Sequence, residues 1–219
     1  DIYRPYRPKR KTRASIAKEK GLEPLAEKIY LQTPEDPIVL AEKFINAEKG
    51  VENIDDALAG ARDIIAEKIS DDAETRKRLR YVCFHNGYLF AKGTKEDMGV
   101  YEIYKEYSEP LTKVAGHRVL AVNRGEKEDF LKAGIDFDRD KAMNIIKTLH
   151  ITGDSPCSKH VLEAAEDAYD RLIFPSIERD IRNEITEAAE KSAIKVFGLN
   201  LRQLLMQPPI KGRCVLGLD

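Results

Sequence analysis

Apolar residues recur at helical spacing over most of the chain. Two short helices are expected first, broken at Gly21, with Pro24 in position to start the second. Asp36-Pro37 supplies an N-cap and first-turn pair for a helix whose core side carries Leu40, Ala41, Phe44 and Ile45. Asn53 can cap a longer helix burying Ile54, Leu58, Ala61, Ile65 and Ile69, and residues 72–86 continue helical with Leu79, Val82, Cys83 and Asn86 on one side. Ala142, Ile145, Ile146 and Leu149 follow the i, i+3, i+4, i+7 pattern. Ser155-Pro156 opens a helix carrying Val161, Leu162, Ala165, Ala168, Tyr169 and Leu172. From Pro175, about thirty residues read as one amphipathic helix with Ile177, Ile181, Ile185, Ala188, Ser192 and Val196 on one stripe, spanning roughly 45 Å. A helix of that length outruns one small core and can tie several modules together.

Between 87 and 137 the period changes. Tyr88-Leu89-Phe90-Ala91, bounded by Gly87 and Gly93, reads as a strand, and Phe130 to Phe137 alternates cleanly between apolar and polar. These two can pair as an antiparallel ribbon, with helical stretches near 99–107 and 115–124 between them. The pattern therefore predicts a mainly α fold: a multi-helix N-terminal region, a small two-stranded β ribbon and a long C-terminal helix. The helical region is expected over 1–207, with a basic arm at 1–12, helices and ribbon over 13–150, and long helices over 156–207. After Pro208-Pro209, residues 208–219 read as a linker and an apolar strand, GRCVLGLD, ending on Asp219. Such a strand usually opens a domain, and the chain begins on Asp1, so an internal piece of a larger protein is the expectation.

Composition narrows the class. Apolar residues are 42% and charged residues 34% of the chain, and no apolar run approaches the ~18 residues of a membrane span. Cys83, Cys157 and Cys214 are odd in number and far apart, which favours buried reduced thiols in a cytoplasmic protein over disulfides or a zinc site. The net charge of −1 hides an uneven distribution, because the first twenty residues hold eight basic and two acidic side chains. A basic arm is attached to an acidic body.

Enzyme constellations are scarce. His85, His117, His150 and His160 are scattered singly, and there is no G-x-S-x-G, P-loop or G-x-G-x-x-G. The reading is of no catalytic residues, no metal ligands and no cofactor. In the arm, Arg4, Arg7, Lys9, Arg10, Lys11 and Arg13 interleave with Tyr3 and Tyr6, residue types that contact phosphates and stack on unpaired bases. Packing of the arm against the acidic body is the alternative. Arg76, Lys77, Arg78 and Arg80 form a second basic cluster, readable as a solvated face or a phosphate contact. Residues 16–22 are partly similar to a helix-turn-helix, although Lys20 and Glu27 stand where that motif wants apolar residues. An apolar strand ending in Asp219 is how RNase H-like domains present a first metal-binding carboxylate, but two-metal chemistry needs further carboxylates.

The stretches YRPYRPKRKTRASIAKEKGLEPLA, EYSEPLTKVAGHRVLAVNRGEKEDFL, DAYDRLIFPSIERDIR and FGLNLRQLLMQPPIKGRCVLGLD strongly resemble the Tex family of bacterial transcription accessory proteins. They occur in the family's order and spacing and cover almost the whole chain; Cys83 and the 94–98 loop belong to none of its signatures. The resemblance implies a multidomain, cytoplasmic, nucleic-acid-binding protein, related to a eukaryotic transcription elongation factor that also handles histones. It implies a helical N-terminal region with a helix-turn-helix-type portion, then a YqgF-type RNase H-like domain generally degenerate as a nuclease. Helix-hairpin-helix modules and a C-terminal OB-fold RNA-binding domain would follow. On that template this chain is a non-catalytic helical scaffold that positions RNA- and DNA-binding modules, with RNA polymerase or transcription complexes as candidate partners and no membrane contact. The alternatives are part of a metal-dependent nuclease or resolvase starting at Asp219, and a protein-interaction region docking on the transcription machinery.

Overall fold

The computed structural model describes residues 11–208, 211–212 and 216–217. The expected strand leading to Asp219 falls mostly outside them. The chain divides into two compact units, Asp1–Tyr88 with Ile135–Ile181, and Leu89–Gly134 with Arg182–Asp219.

In the first unit, α1 (Arg13–Glu19) and α2 (Glu23–Tyr30) flank a turn at Gly21, whose φ of +84° is strained for any residue with a Cβ. Thr12 and Ser15 cap α1 reciprocally: the Ser15 N–H donates to Thr12 Oγ1 at 3.0 Å and the Thr12 N–H to Ser15 Oγ at 2.8 Å. Asp36 caps α3 (Pro37–Glu42) as its sequence requires, accepting from the Ile38 N–H at 2.9 Å. The helix stops earlier than its apolar pattern suggests, leaving Phe44 half-buried and Ile45 exposed. Asn53 caps α4 (Ile54–Asp71), which buries Ala57, Leu58, Ala61, Ile64, Ile65, Ala66 and Ile69. This helix is the hub of the unit, packing against α1, α2, α3, α8 (Pro156–Asp167) and α5 (Ala73–Asn86). On α5 the apolar side narrows to Leu79 and Cys83, with Val82 half-buried and Asn86 exposed.

The α7 helix (Arg139–His150) packs on α5 and α8. At Ala168 the chain passes without a break from α8 through a π-helical turn, Ala168–Ile173, into α9 (Phe174–Leu205). The sequence suggests two helices separated near Pro175. Instead, the proline sits at the second residue of α9, beside the π turn, where its missing N–H coincides with the change of hydrogen-bond pattern.

The second unit contains most of a three-stranded sheet of order β2-β1-β3, from β1 (Tyr88–Gly93), β2 (Glu106–Pro110) and β3 (Leu131–Asp136). At the end of β1, the Gly93 N–H meets the Lys105 carbonyl (2.8 Å) and the Thr94 N–H meets the Phe130 carbonyl (2.9 Å). Both neighbours therefore start where β1 finishes, and both run antiparallel to it. Both strands of the expected ribbon, β1 and β3, are present, with β1 at the centre of the sheet; β2 replaces the end of the helix suggested over 99–107. That stretch forms 3₁₀ turns over Gly99–Tyr104 and then extends. Tyr101 and Tyr104 explain the change, since both rings are drawn into a core with Ala91, Met98, Val122 and Leu131.

Against this core, α6 (Gly116–Lys127) lies beside α9. Asn123 Nδ2 donates to Thr186 Oγ1 at 2.8 Å, and Arg182 grips Glu126 with two N–H groups at 2.6 and 3.2 Å. The stripe on α9 differs from its sequence reading: Ile177 and Ile181 are buried and Ile185 half-buried, but Ala189 is the next buried residue, with Ala188, Ser192 and Val196 exposed.

The close approach of α6 to α9 depends on Gly116, where a Cβ would come within 3.2 Å of the Ala189 Cα. Gly116→Ala gains about 0.5–1 kcal/mol of helix preference but must separate two backbones, and overpacking costs about 1–3 kcal/mol. Its melting temperature should fall. Gly198→Ala, with open space around the new methyl, should raise it. A thermal melt of both variants checks the pair, and a stabilised Gly116→Ala would show that the helices can part freely.

Candidate nucleic-acid interface

Of the arm cations, Arg4, Arg7, Lys9 and Arg10, together with Tyr3 and Tyr6, lie outside the described residues. Lys11 is exposed and bonds to Glu19 at 3.0 Å. Arg13 is exposed at the start of α1 and borders a cleft of about 670 Å³ that it shares with Asp63, Glu67, Arg76, Arg171 and Arg179. Much of that charge is already matched. Arg171 is held by Asp167, with Asp63 at 3.5 Å, and Glu67 accepts from Lys18 at 3.2 Å.

The helix pair at α1 and α2 turns Leu22, Leu25 and Ile29 inward. Lys20 solves its awkward position by donating to the Gly50 carbonyl at 2.7 Å, and Glu27 points to solvent. The exposed face of α2 carries Glu23, Glu27 and Lys28, an acidic balance poorly suited to phosphate.

The second basic cluster is divided by the structure. Arg76 turns inward, donating to the Ser70 carbonyl through Nε, to Ser70 Oγ at 3.2 Å and to Ser176 Oγ at 3.4 Å. Lys77, Arg78 and Arg80 remain exposed. Arg78 is paired with Glu74 at 2.5 Å, whereas Lys77 has no ion-pair partner among the described residues.

Beside Lys77 and Arg78, a cleft of about 430 Å³ opens between α5 and α7. Sequence reading missed it, because its walls come from residues more than sixty positions apart. The available signal was Tyr81, an aromatic directly after the basic run yet on the polar side of α5. Tyr81 is 64% exposed, and its ring stacks on His85 at 4.1 Å between centroids.

Two buried titratable groups, His150 and Cys83, are built into the packing of the first unit. His150, buried at the end of α7, has Tyr30 Oη 2.9 Å from Nδ1 and Thr75 Oγ1 2.7 Å from Nε2. Gln32 Nε2 donates to the His150 carbonyl at 2.7 Å, and Gln32 Oε1 accepts from Ser158 and the Thr152 N–H. Burial lowers the His150 pKa, against a smaller opposite pull from Asp72. Burial, with Glu178 nearby, pushes the Cys83 thiol up to about 12, so it stays protonated at neutral pH. Among the described residues, no three His, Cys, Asp or Glu side chains gather to hold a metal, and no helix is long and apolar enough to cross a membrane.

Comparison with known proteins matches residues 32–197 to a family described as Tex central region-like. A Bacillus subtilis protein, YdcI, is 46% identical over all of this chain, which spans 31% of it. The transcriptional accessory protein Tex of Neisseria gonorrhoeae is 33% identical over all of the chain, which spans 30% of it. The human S1 RNA-binding domain-containing protein 1 is 28% identical over 95% of the chain and 22% of its own length.

Proposed function

The chain belongs to the Tex family, and from that membership we propose a non-catalytic helical scaffold that positions the RNA- and DNA-binding modules of a transcription accessory protein. The observation that carries this reading is α9. Its 32 residues extend over about 48 Å, and its C-terminal part leaves Ile194, Phe197, Leu199, Leu204 and Leu205 more than half exposed. Apolar surface of that extent marks a place where other protein packs. We take the occupants to be modules of the intact protein, consistent with a chain that spans about a third of its bacterial relatives.

Nucleic-acid contact by the chain itself is a secondary element of the proposal. It rests on Lys11 and Arg13 beside the arm, on Lys77, Arg78 and Arg80 of α5, and on the similarity to the human S1 RNA-binding domain-containing protein 1. RNA polymerase or a transcription complex is the partner this role calls for.

The test is a salt-dependent titration of the chain, beside a full-length relative, against single-stranded RNA, single-stranded DNA and duplex DNA. Weak binding by the chain and strong binding by the relative is expected, with the log–log salt slope falling by about one for each phosphate-contacting cation removed. A relative that binds none of the three would overturn the reading.

A further inference from the structure

The cleft between α5 and α7 is not accounted for by a scaffold. Its lining divides by chemistry. Val82 and Ile145 give apolar walls, Tyr81 gives an aromatic face, Asn144 and Thr148 supply an amide and a hydroxyl, and Glu74, Lys77 and Arg78 stand along it. The volume of about 430 Å³ lies within the roughly 300–1,000 Å³ typical of small-ligand sites.

The tyrosine is held ready. His85 Nδ1 lies 2.8 Å from the Tyr81 carbonyl one helical turn back, so that nitrogen carries the proton and the imidazole is fixed. The imidazole in turn stacks on the phenol at 4.1 Å with a tilt of 32°. The ring is thus supported by a neighbour of its own helix while most of its surface faces solvent. An exposed aromatic normally loses rotamer freedom when it binds, and this one has already lost part of it.

The local charge selects the occupant. Glu74 is neutralised by Arg78, and Lys77 has no ion-pair partner among the described residues, so the lining carries one net positive charge beside the aromatic face. An aromatic face for stacking, a cation at the edge and a few hydrogen-bonding groups at the opposite wall are the parts of a single-strand site. A duplex cannot use them, because its bases are already stacked.

We propose that the α5–α7 cleft binds one unpaired nucleobase of a single strand, stacked on Tyr81, with the adjoining phosphate at Lys77. Asn144 would meet the base edge, its amide being able both to donate and to accept. The proposal rests on the nucleic-acid part of the function above and adds a site, a ligand class and a strand state.

The experiment compares a fluorescein-labelled single-stranded DNA octamer with an octamer of tetrahydrofuran abasic units bearing the same number of phosphates. The chain should prefer the base-bearing strand by roughly tenfold or more. Tyr81→Ala should erase that preference while leaving abasic binding and the melting temperature unchanged, and Tyr81→Phe should keep it. Equal binding of both octamers by the unmodified chain, or a preference that survives Tyr81→Ala, overturns the site but leaves phosphate contact standing. Binding of neither octamer overturns the site and the chain's own nucleic-acid contact together. Tyr81-dependent capture of an extended leucine-rich peptide, without base preference, assigns the cleft to protein and also overturns the proposal.

Discussion

Ile65→Ala should destabilise the first unit by about 2–5 kcal/mol, the range for removing a large aliphatic side chain from a packed interior. Ile65 is 1% exposed and sits midway along α4, the helix against which α1, α2, α3, α5 and α8 all pack. The truncation removes three methyl or methylene carbons from the interior and leaves a void. Surrounding helices can close it only by moving away from contacts they already make. Stabilities of folded domains are on the order of 5–15 kcal/mol, so a loss of this size takes a large share. Chemical denaturation with circular dichroism measures it. A loss below about 1 kcal/mol would mean that α4 is not the hub of the packing.

His150→Leu should cost about 1–3 kcal/mol, the penalty for leaving buried hydrogen-bonding groups without partners, and should also flatten the response to acid. The bonds fix the tautomer. The Thr75 hydroxyl donates to Asp72 Oδ2 at 2.7 Å, so it accepts from Nε2–H, and Nδ1 is left to accept from the Tyr30 hydroxyl. Protonation would place a second N–H against that hydroxyl, beside a Tyr30 ring that already carries the Lys68 ammonium 4.1 Å from its centroid. Asp72 favours the charged ring, but burial outweighs it and the folded pKa is lowered.

A lowered histidine pKa contributes stability that is complete above the unfolded value of about 6.5 and drains away as pH falls below it, by at most about 1.4 kcal/mol per pH unit for each histidine. Asp72 acts in a lower window. Its carboxylate is held below its usual pKa by the Thr75 hydroxyl and N–H, so its contribution is lost only as pH falls below about 4. His160 is also lowered by burial, so the variant should lose part of the slope between pH 7 and 5 and retain the rest. An unchanged slope in His150→Leu would remove His150 from the account.

The helical part of the fold was legible because caps and periodicity agree. Asn53, Asp36 and Ser155 each accept from the backbone N–H that their positions imply, and Leu58, Ala61, Ile65 and Ile69 are buried as spaced. β2 was obscured because Val100, Tyr101, Ile103 and Tyr104 mimic a helical spacing. In the fold the two tyrosines are buried while Val100 and Ile103 face solvent at 85% and 77% exposure. Surface chemistry was less legible still. Arg76 and Arg78 look equivalent on paper, yet one is tied to Ser70 and Ser176 and the other stays at the surface. Tyr81 gained significance only when α7 supplied the opposite wall.

The π turn between α8 and α9 acts as a one-residue phase correction. The buried set runs Val161, Ala164 and Ala165 on α8, Ala168, Tyr169 and Ile173 within the turn, and Ile177 and Ile181 on α9. From Ala165, a regular α-helix would place its inward positions at spacings of three, seven, eleven and fifteen. The last three of those residues instead fall at eight, twelve and sixteen. At about 100° per residue, one surplus residue would swing Ile177 and Ile181 well off the core, and the wider π turn absorbs it. Deleting a single residue within 168–173 should therefore be tolerated better than a deletion elsewhere in the helix, because it restores ideal winding with both apolar faces still aligned. The wider turn keeps α8 and the start of α9 in step with the same core.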